Sequence, residues 1–264
     1  MLKKAVPILI AVLFVITVVS CIMIADTVMR SDAEIEDFES LAAITRKPIE
    51  SESSETTSEG AESEASGVSE ESAEAEPKSI FKRNLSLLFE KNKDCIGWIC
   101  IPDTAVDYPV MHTPQDQEKY LHKNFDGERS SSGVPFMQGN NTLDSDNIIL
   151  YGHNMKNGTM FADIKNYRKE SFCAEHPTVE FETARGLKTY TVFAVVQLKN
   201  NDSWYSFNLA EDEADYASKI AYISDLALYT TDAVAQYGKQ LLTLSTCYGK
   251  SKSDRLIVIA VENE

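Results

Sequence analysis

The sequence predicts a mostly β domain, a barrel or a sandwich, that is preceded by one membrane helix. Short β-rich runs recur between residues 97 and 262 with few helical patterns between them, which favours a barrel or sandwich over a doubly wound sheet. Residues 5–25 carry no charge, and an acidic, Ser- and Glu-rich segment follows them. We therefore divide the chain into a tail (1–4), a transmembrane helix (5–25), a stalk (26–78) and a folded domain (79–264).

The uncharged run of residues 5–25 predicts a membrane anchor. A helix of this length spans about 31 Å, which matches the hydrocarbon core of a bilayer. Lys3 and Lys4 precede the run, so the positive-inside rule predicts a cytoplasmic N-terminus and an extracellular domain at the cell membrane. A cleaved signal peptide is the alternative, but its apolar region is about 7–15 residues long and ends in small residues. An uncleaved signal-anchor is favoured.

The stalk is predicted to be a disordered spacer. Residues 31–77 contain 15 acidic residues and two basic ones, and residues 51–76 are almost entirely Ser, Glu, Ala, Thr and Gly. Such a segment has too little apolar surface to offset the entropy cost of ordering. The whole chain has a formal net charge of −16, which argues against a nucleic-acid partner because phosphate binding needs clustered Lys and Arg.

Within the folded domain, apolar runs predict seven strands and two helices. The predicted strands cover 97–102, 106–110, 147–151, 178–182, 188–198, 240–246 and 255–262. A first helix is expected over 79–93, and a second, longer one over 208–227, where Asn208 and Glu211 have capping-box spacing. Residues 116–123 are predicted to form a helical turn.

The cysteines show neither a C-x-x-C pair nor a zinc-binding pattern with histidines, so we predict no metal and no cofactor. Four cysteines lie in the folded domain, and the sequence leaves open whether Cys95, Cys100 or Cys173 forms a disulfide. The pair Cys95 and Cys100 is the most doubtful, because geometry rather than spacing decides whether two cysteines can bridge.

Three residues at predicted strand ends suggest a nucleophilic site. Cys247 ends one strand and Arg255 begins the next, so neighbouring strands would place them side by side. A guanidinium there could favour a thiolate or bind a developing oxyanion. His153 follows the strand that ends at Tyr151 and could serve as the acid or base. Taken singly, each residue is more often structural. His112, His122 and His176 are left as structural.

The combination of these residues resembles the sortase family, specifically class B sortases. The most specific matches are Tyr-Gly-His-Asn-Met at 151–155 and Leu-Ser-Thr-Cys at 244–247, followed by Arg255. Further similar blocks, in the family's order, lie at 96–102, 106–110, 120–121, 133–137, 159–161 and 176–178. The resemblance spans nearly all of residues 80–262.

The resemblance implies a fold, a reaction and a set of site residues. The fold would be a closed eight-stranded β-barrel with N-terminal helices and a long helix between the sixth and seventh strands, where we predict the helix 208–227. The enzyme would be a cysteine transpeptidase of a Gram-positive bacterium. It would cut a C-terminal sorting signal after its threonine through a thioacyl intermediate, and it would then join that threonine to an amine of peptidoglycan. The implied catalytic residues are Cys247 (nucleophile), His153 (acid/base) and Arg255 (substrate and oxyanion); Ser245, Leu121 and Gln117 would contact substrate.

Some positions depart from the family's pattern, and two other functions stay open. Tyr248 and Gly249 replace the acidic residues that follow the cysteine in some members, Gln138 replaces a frequent Asp, and the loop before Arg255 is short. One alternative is a cell-wall cysteine peptidase that hydrolyses peptidoglycan stems, but such enzymes usually place the cysteine at a helix start, upstream of the histidine. The other is a catalytically silent, membrane-tethered binding module.

Overall fold

The structure, a computed structural model, describes residues 2–46 and 82–263 and has a closed eight-stranded barrel at its centre. The strands are β1 (Cys95–Cys100), β2 (Asp107–Met111), β3 (Phe136–Met137), β4 (Asn147–Tyr151), β5 (Thr178–Thr183), β6 (Gly186–Lys199), β7 (Leu241–Cys247) and β8 (Asp254–Glu262). The helices are α1 (Leu2–Thr45), α2 (Ser86–Lys91), α3 (Glu170–Glu175) and α4 (Glu213–Asp225), and shorter 3-10 helices cover Lys119–His122, Ala162–Arg168 and Ser203–Ser206. The predicted closed barrel is confirmed.

The order of strands around the barrel decides which chain ends meet. It runs β1-β2-β3-β4-β7-β8-β6-β5, and β5 closes the ring on β1. Most neighbours are antiparallel, but β2 and β3 run parallel, and so do β4 and β7. Parallel neighbours bring their carboxyl ends to the same edge of a sheet. The segments that come after β4 and β7 therefore start side by side.

Two apolar clusters explain why the last strands are apolar on both faces. One fills the barrel and includes Trp98, Leu150 and Leu244, which are all at most 1% exposed. The other lies on the outer face of β6, β7 and β8, where Tyr216 and Ile223 of α4 pack over residues such as Ile257. Alternate residues of these strands are thus buried on opposite sides.

Helix α4 lies between β6 and β7 as predicted, but it starts later. Its N-cap is Asp212, whose carboxylate accepts a hydrogen bond from the Asp215 backbone at 2.8 Å. The predicted cap, Asn208, instead donates its side-chain amide to the Asn140 carbonyl at 3.0 Å. Asn208 therefore ties two loops together and does not begin the helix.

The first helix of the domain is shorter than the predicted 79–93. It covers Ser86–Lys91, while residues 79–81 lie outside the described residues. The backbone N–H groups of Lys82 and Arg83 both donate to the buried Glu182 carboxylate, at 2.9 and 3.0 Å. These contacts hold residues 82 and 83 against β5 and leave them outside the helix.

The prediction of a disordered stalk is wrong for residues 26–45, which continue α1. Phe38, Leu41, Ala42 and Thr45 are buried against the domain, and the Phe38 ring meets the Tyr108 ring edge-on at 5.3 Å. Their spacing is that of one helix face, which the acidic composition of the segment obscures. Residues 47–78 of the predicted stalk fall within 47–81, outside the described residues.

Helix α1 also contains the predicted membrane anchor. Among the described residues, Leu13–Thr45 is the one helical stretch long and apolar enough to cross a membrane. Several of its apolar side chains are exposed, including Phe14, Ile22 and Met23. An exposed apolar helix of this kind fits a lipid environment, although a signal sequence has the same composition.

Candidate active site

The three residues predicted to be catalytic lie at one edge of the barrel. Cys247 is the last residue of β7 and is paired in register with Arg255 of β8. The parallel β4 pairs Tyr151 with Ser245, two residues before Cys247, so His153 follows its strand at the same level. The Asn154 amide donates to the Cys247 carbonyl at 3.0 Å and fixes the two segments to each other.

The segment that carries His153 leaves the strand through a tightly packed glycine. A Cβ on Gly152 would lie 2.6 Å from the Phe161 ring, so a larger residue would displace that ring. The Gly152 carbonyl accepts the Thr246 hydroxyl at 2.7 Å, and the His153 carbonyl accepts the Phe161 N–H at 2.9 Å. The backbone on both sides of His153 is thereby held in place.

The surroundings of His153 select one tautomer and favour the neutral ring. Its Nε2 lies 2.9 Å from the Leu121 carbonyl, and because a carbonyl can only accept, Nε2 carries the proton and Nδ1 is left free. Burial lowers the pKa of His153; the Leu121 hydrogen bond raises it in part, and the charge of His122 lowers it further. The His122 ring stacks on His153 at 5.6 Å.

Among the four cysteines within residues 82–263, Cys247 is the exposed one. Burial raises the pKa of Cys95 to about 12 and that of Cys100 to about 11, and it also raises the pKa of Cys173. These three are free thiols, and Cys95 and Cys100 lie at opposite ends of β1, too far apart along an extended strand to bridge. Cys247 is therefore the cysteine best placed to react.

Arg255 keeps its positive charge available to the site. Its guanidinium donates to two neutral carbonyls, those of Lys252 at 2.7 Å and Asp254 at 3.0 Å. The neighbouring Asp254 carboxylate pairs with Lys199 and accepts the backbone N–H groups of Lys250 and Ser251. Asp254 thus organises the short loop between β7 and β8 without neutralising Arg255.

The three residues predicted to contact substrate are less directly placed. Ser245 is 1% exposed, and its hydroxyl lies 2.9 Å from the Tyr205 hydroxyl. Leu121 takes part through its carbonyl, which holds His153. The Gln117 side chain accepts the Gly139 N–H at 2.9 Å. Roles for Ser245, Leu121 and Gln117 in substrate binding stay predictions.

Sequence reasoning missed Tyr205 and gave no role to the ring of Tyr151, which lies beside it. Their rings stack at 6.0 Å, and the Tyr151 hydroxyl donates to Gln138 at 2.6 Å. Burial raises the pKa of Tyr205 to about 12, against the lowering effects of the Ser245 hydrogen bond and the Arg255 charge. The adjacent aromatic residues Trp204 and Tyr205, in the connection between β6 and α4, could have indicated a buried position there.

Comparison with known proteins identifies structural and sequence relatives. A family model described as "Sortase domain" matches residues 99–263. The chain is 37% identical to sortase B of Listeria monocytogenes over 161 residues, which is 59% of this chain and 63% of that protein, so the match spans less than two thirds of the relative. It is 30% identical to sortase B of Staphylococcus aureus over 174 residues, 64% of this chain and 70% of that protein.

Solved structures agree with this relationship. A Staphylococcus aureus sortase B–substrate complex superposes with a TM-score of 0.64 at 28% identity and covers 68% of this chain and 84% of that chain. Sortase B of Clostridium perfringens gives a TM-score of 0.64 at 32% identity and covers 69% of this chain and 100% of that chain.

The stacked His122 generates a testable prediction about His153. Replacing His122 with Gln removes a neighbouring charge that disfavours the imidazolium, so the pKa of His153 should rise. An NMR pH titration of protein that carries isotope-labelled histidine would measure the pKa of His153 directly. The control His176→Gln alters a ring that contacts the Pro102 carbonyl, and it should leave the titration of His153 unchanged. A His153 pKa that stays constant or falls in His122→Gln would contradict the electrostatic coupling.

Proposed function

Because this chain belongs to the sortase family, with class B sortases among its relatives, we propose that it is a membrane-anchored cysteine transpeptidase. Its substrates would be secreted proteins with a C-terminal sorting signal, cut after a threonine, and its acceptor would be an amine of the peptidoglycan precursor. The observation that carries the proposal is the register of the barrel edge, where Cys247 pairs with Arg255 and the parallel neighbour delivers His153.

In the first step, neutral His153 takes the proton of the Cys247 thiol at Nδ1, and the sulfur attacks the carbonyl carbon of the substrate threonine. The Arg255 guanidinium binds the negative charge that develops on the carbonyl oxygen, and in a water-poor site such a contact stabilises the transition state strongly. The carbon–nitrogen bond then breaks, and protonated His153 gives its proton to the departing amine. The threonine carbonyl stays bonded to the Cys247 sulfur as a thioester.

In the second step, a primary amine replaces the amine that has left. The amine attacks the thioester carbon, loses a proton to neutral His153 and expels the Cys247 thiolate. The lowered pKa of His153 keeps the neutral ring available for this proton. A related sortase B has been solved in complex with triglycine, a peptide that presents a primary amine, which supports an amine acceptor here.

The two other functions receive less support. A peptidoglycan hydrolase of the usual cysteine type would place its nucleophile at a helix start, whereas Cys247 ends a strand. A catalytically inactive binding module gives no reason for an exposed thiol on the strand next to Arg255, whose guanidinium is bonded only to neutral carbonyls, and near a half-buried imidazole. Incubating the full chain with a fluorogenic sorting peptide, with and without triglycine, separates the three functions. A transpeptidase gives the transfer product, a peptidase gives hydrolysis only, and a binding module gives binding without cleavage.

Substitution of the three residues should change turnover by different amounts. Cys247→Ala should abolish it, since no thioester can form. His153→Ala should cost about 10²–10⁴-fold through lost proton transfer, and Arg255→Ala about 10²–10³-fold through the lost oxyanion contact. Arg255→Lys should recover little of the lost turnover, because the compact ammonium group of lysine does not reproduce the planar arrangement of N–H donors of a guanidinium.

Mass spectrometry of the trapped intermediate is the direct check on the nucleophile. The acyl group should be found on Cys247, while the less exposed Cys95, Cys100 and Cys173 serve as internal controls. An adduct on one of those three, or full turnover by Cys247→Ala, would refute the assignment.

The proposed location at the outer face of the membrane is supported by α1 and by the two lysines before its apolar run. Added protease should cut the Ser- and Glu-rich residues 51–76 in intact, wall-stripped cells. The freed domain should nevertheless stay with the membrane until denaturant is added, because Phe38 and Leu41 of α1 are packed into it. Cleavage only after lysis would contradict the topology, and immediate release would contradict the docking of α1.

A further inference from the structure

One carboxylate of helix α1 is hydrogen-bonded to three consecutive serines of the domain. Glu34 accepts hydrogen bonds from the Ser130 hydroxyl at 2.8 Å and from the Ser131 backbone N–H at 3.0 Å, both at Oε1. Its other oxygen accepts the Ser132 hydroxyl and, at 3.5 Å, the Ser131 hydroxyl. Ser130 and Ser132 are at most 5% exposed. A charged acceptor facing several donors makes strong hydrogen bonds, so Glu34 fixes the shape of this serine loop, residues 130–132.

The serine loop is folded against the 3-10 helix Lys119–His122. The Ser130 hydroxyl accepts the N–H groups of Ser132 and Gly133, both at 3.1 Å, and the Ser130 N–H donates to the His122 carbonyl at 3.0 Å. Gly133 has a φ of 61°, and a Cβ there would lie 2.6 Å from the Leu121 carbonyl oxygen. Gly133, the residue that follows the serine loop, thus packs closely against the carbonyl that accepts the hydrogen bond from His153 Nε2.

A second contact joins α1 to the segment that comes after His153. The Asn157 side-chain amide donates to the Ser31 hydroxyl at 2.7 Å. One turn of α1, from Ser31 to Glu34, thus touches the segments on both sides of the His153 ring: the serine loop behind Leu121, and the loop that continues from His153. These contacts belong to the same helix as the proposed membrane span.

We propose that Glu34 is a positioning residue for the reaction, which acts on His153 through the serine loop and the Leu121 carbonyl. The inference rests on the proposed function, since it assigns Glu34 to that same reaction. Glu34 does not touch the reacting atoms; it holds the acceptor that fixes the tautomer of His153 and the direction of Nδ1. The anchoring helix is then a part of the catalytic unit as well as its tether.

The test compares three variants of the full chain in detergent micelles. Glu34→Ala should lower kcat for a fluorogenic sorting peptide by about 10- to 100-fold with KM little changed, because small misplacements of a catalytic group cost rate more than binding. Glu34→Gln keeps one acceptor oxygen for the Ser131 N–H, so it should recover most of the rate. Glu36→Ala, an exposed glutamate on the same helix, is the matched control and should behave as wild type.

An NMR readout keeps the test independent of turnover. The His153 Nε2 proton should exchange with solvent faster in Glu34→Ala than in wild type or Glu36→Ala, since its acceptor is less firmly held. Unchanged kcat and unchanged exchange in Glu34→Ala would overturn the proposal. So would a general loss of folding that Glu34→Gln fails to rescue, which indicates a purely structural role. If wild type itself lacks transfer activity, the proposed function fails, while the exchange rates still decide whether Glu34 holds His153.

Discussion

The parallel pairing of β4 and β7 is the interaction on which the site depends. Hairpin partners would place the end of one strand beside the start of the other, whereas parallel partners end together. Residues 147–151 and 241–245 pair in direct register, so the segments after the two strands begin at one level. His153 and Cys247 are 94 positions apart in the sequence, and this register brings their segments to one edge of the barrel. The antiparallel β8 then returns beside β7 and adds Arg255.

Burial determines which cysteine thiols stay protonated and favours the neutral form of the His153 imidazole. It keeps the thiols of Cys95, Cys100 and Cys173 protonated, because a thiolate is costly to form in apolar surroundings, and it leaves Cys247 at the surface. The same effect favours the neutral form of His153. One physical cause therefore both keeps the other three thiols protonated and favours the neutral imidazole of His153.

Sequence alone predicted most of the barrel, because β4 and β7 are buried on both faces and appear as continuous apolar runs. It missed β3, since two residues are too few to carry a pattern, and it missed the docking of residues 38–45, whose apolar face is diluted by acidic neighbours. The site was predicted in part. The placement of His153, Cys247 and Arg255 at one barrel edge was predicted from strand ends and resemblance, whereas Tyr205 and Glu34 make contacts between segments remote in sequence, which spacing does not reveal.

An engineered disulfide tests the parallel register most directly. The Asn154 side chain reaches the Cys247 carbonyl, so the two residues are neighbours across the β4 and β7 ends, whereas Asn157 faces Ser31 of α1. Under mild oxidation, Asn154→Cys should form a bridge to Cys247, detected by peptide mapping, and Asn157→Cys should not, because a disulfide needs Cα atoms within about 7 Å. Bridging by Asn157→Cys but not by Asn154→Cys would contradict the register and the placement of His153 beside Cys247.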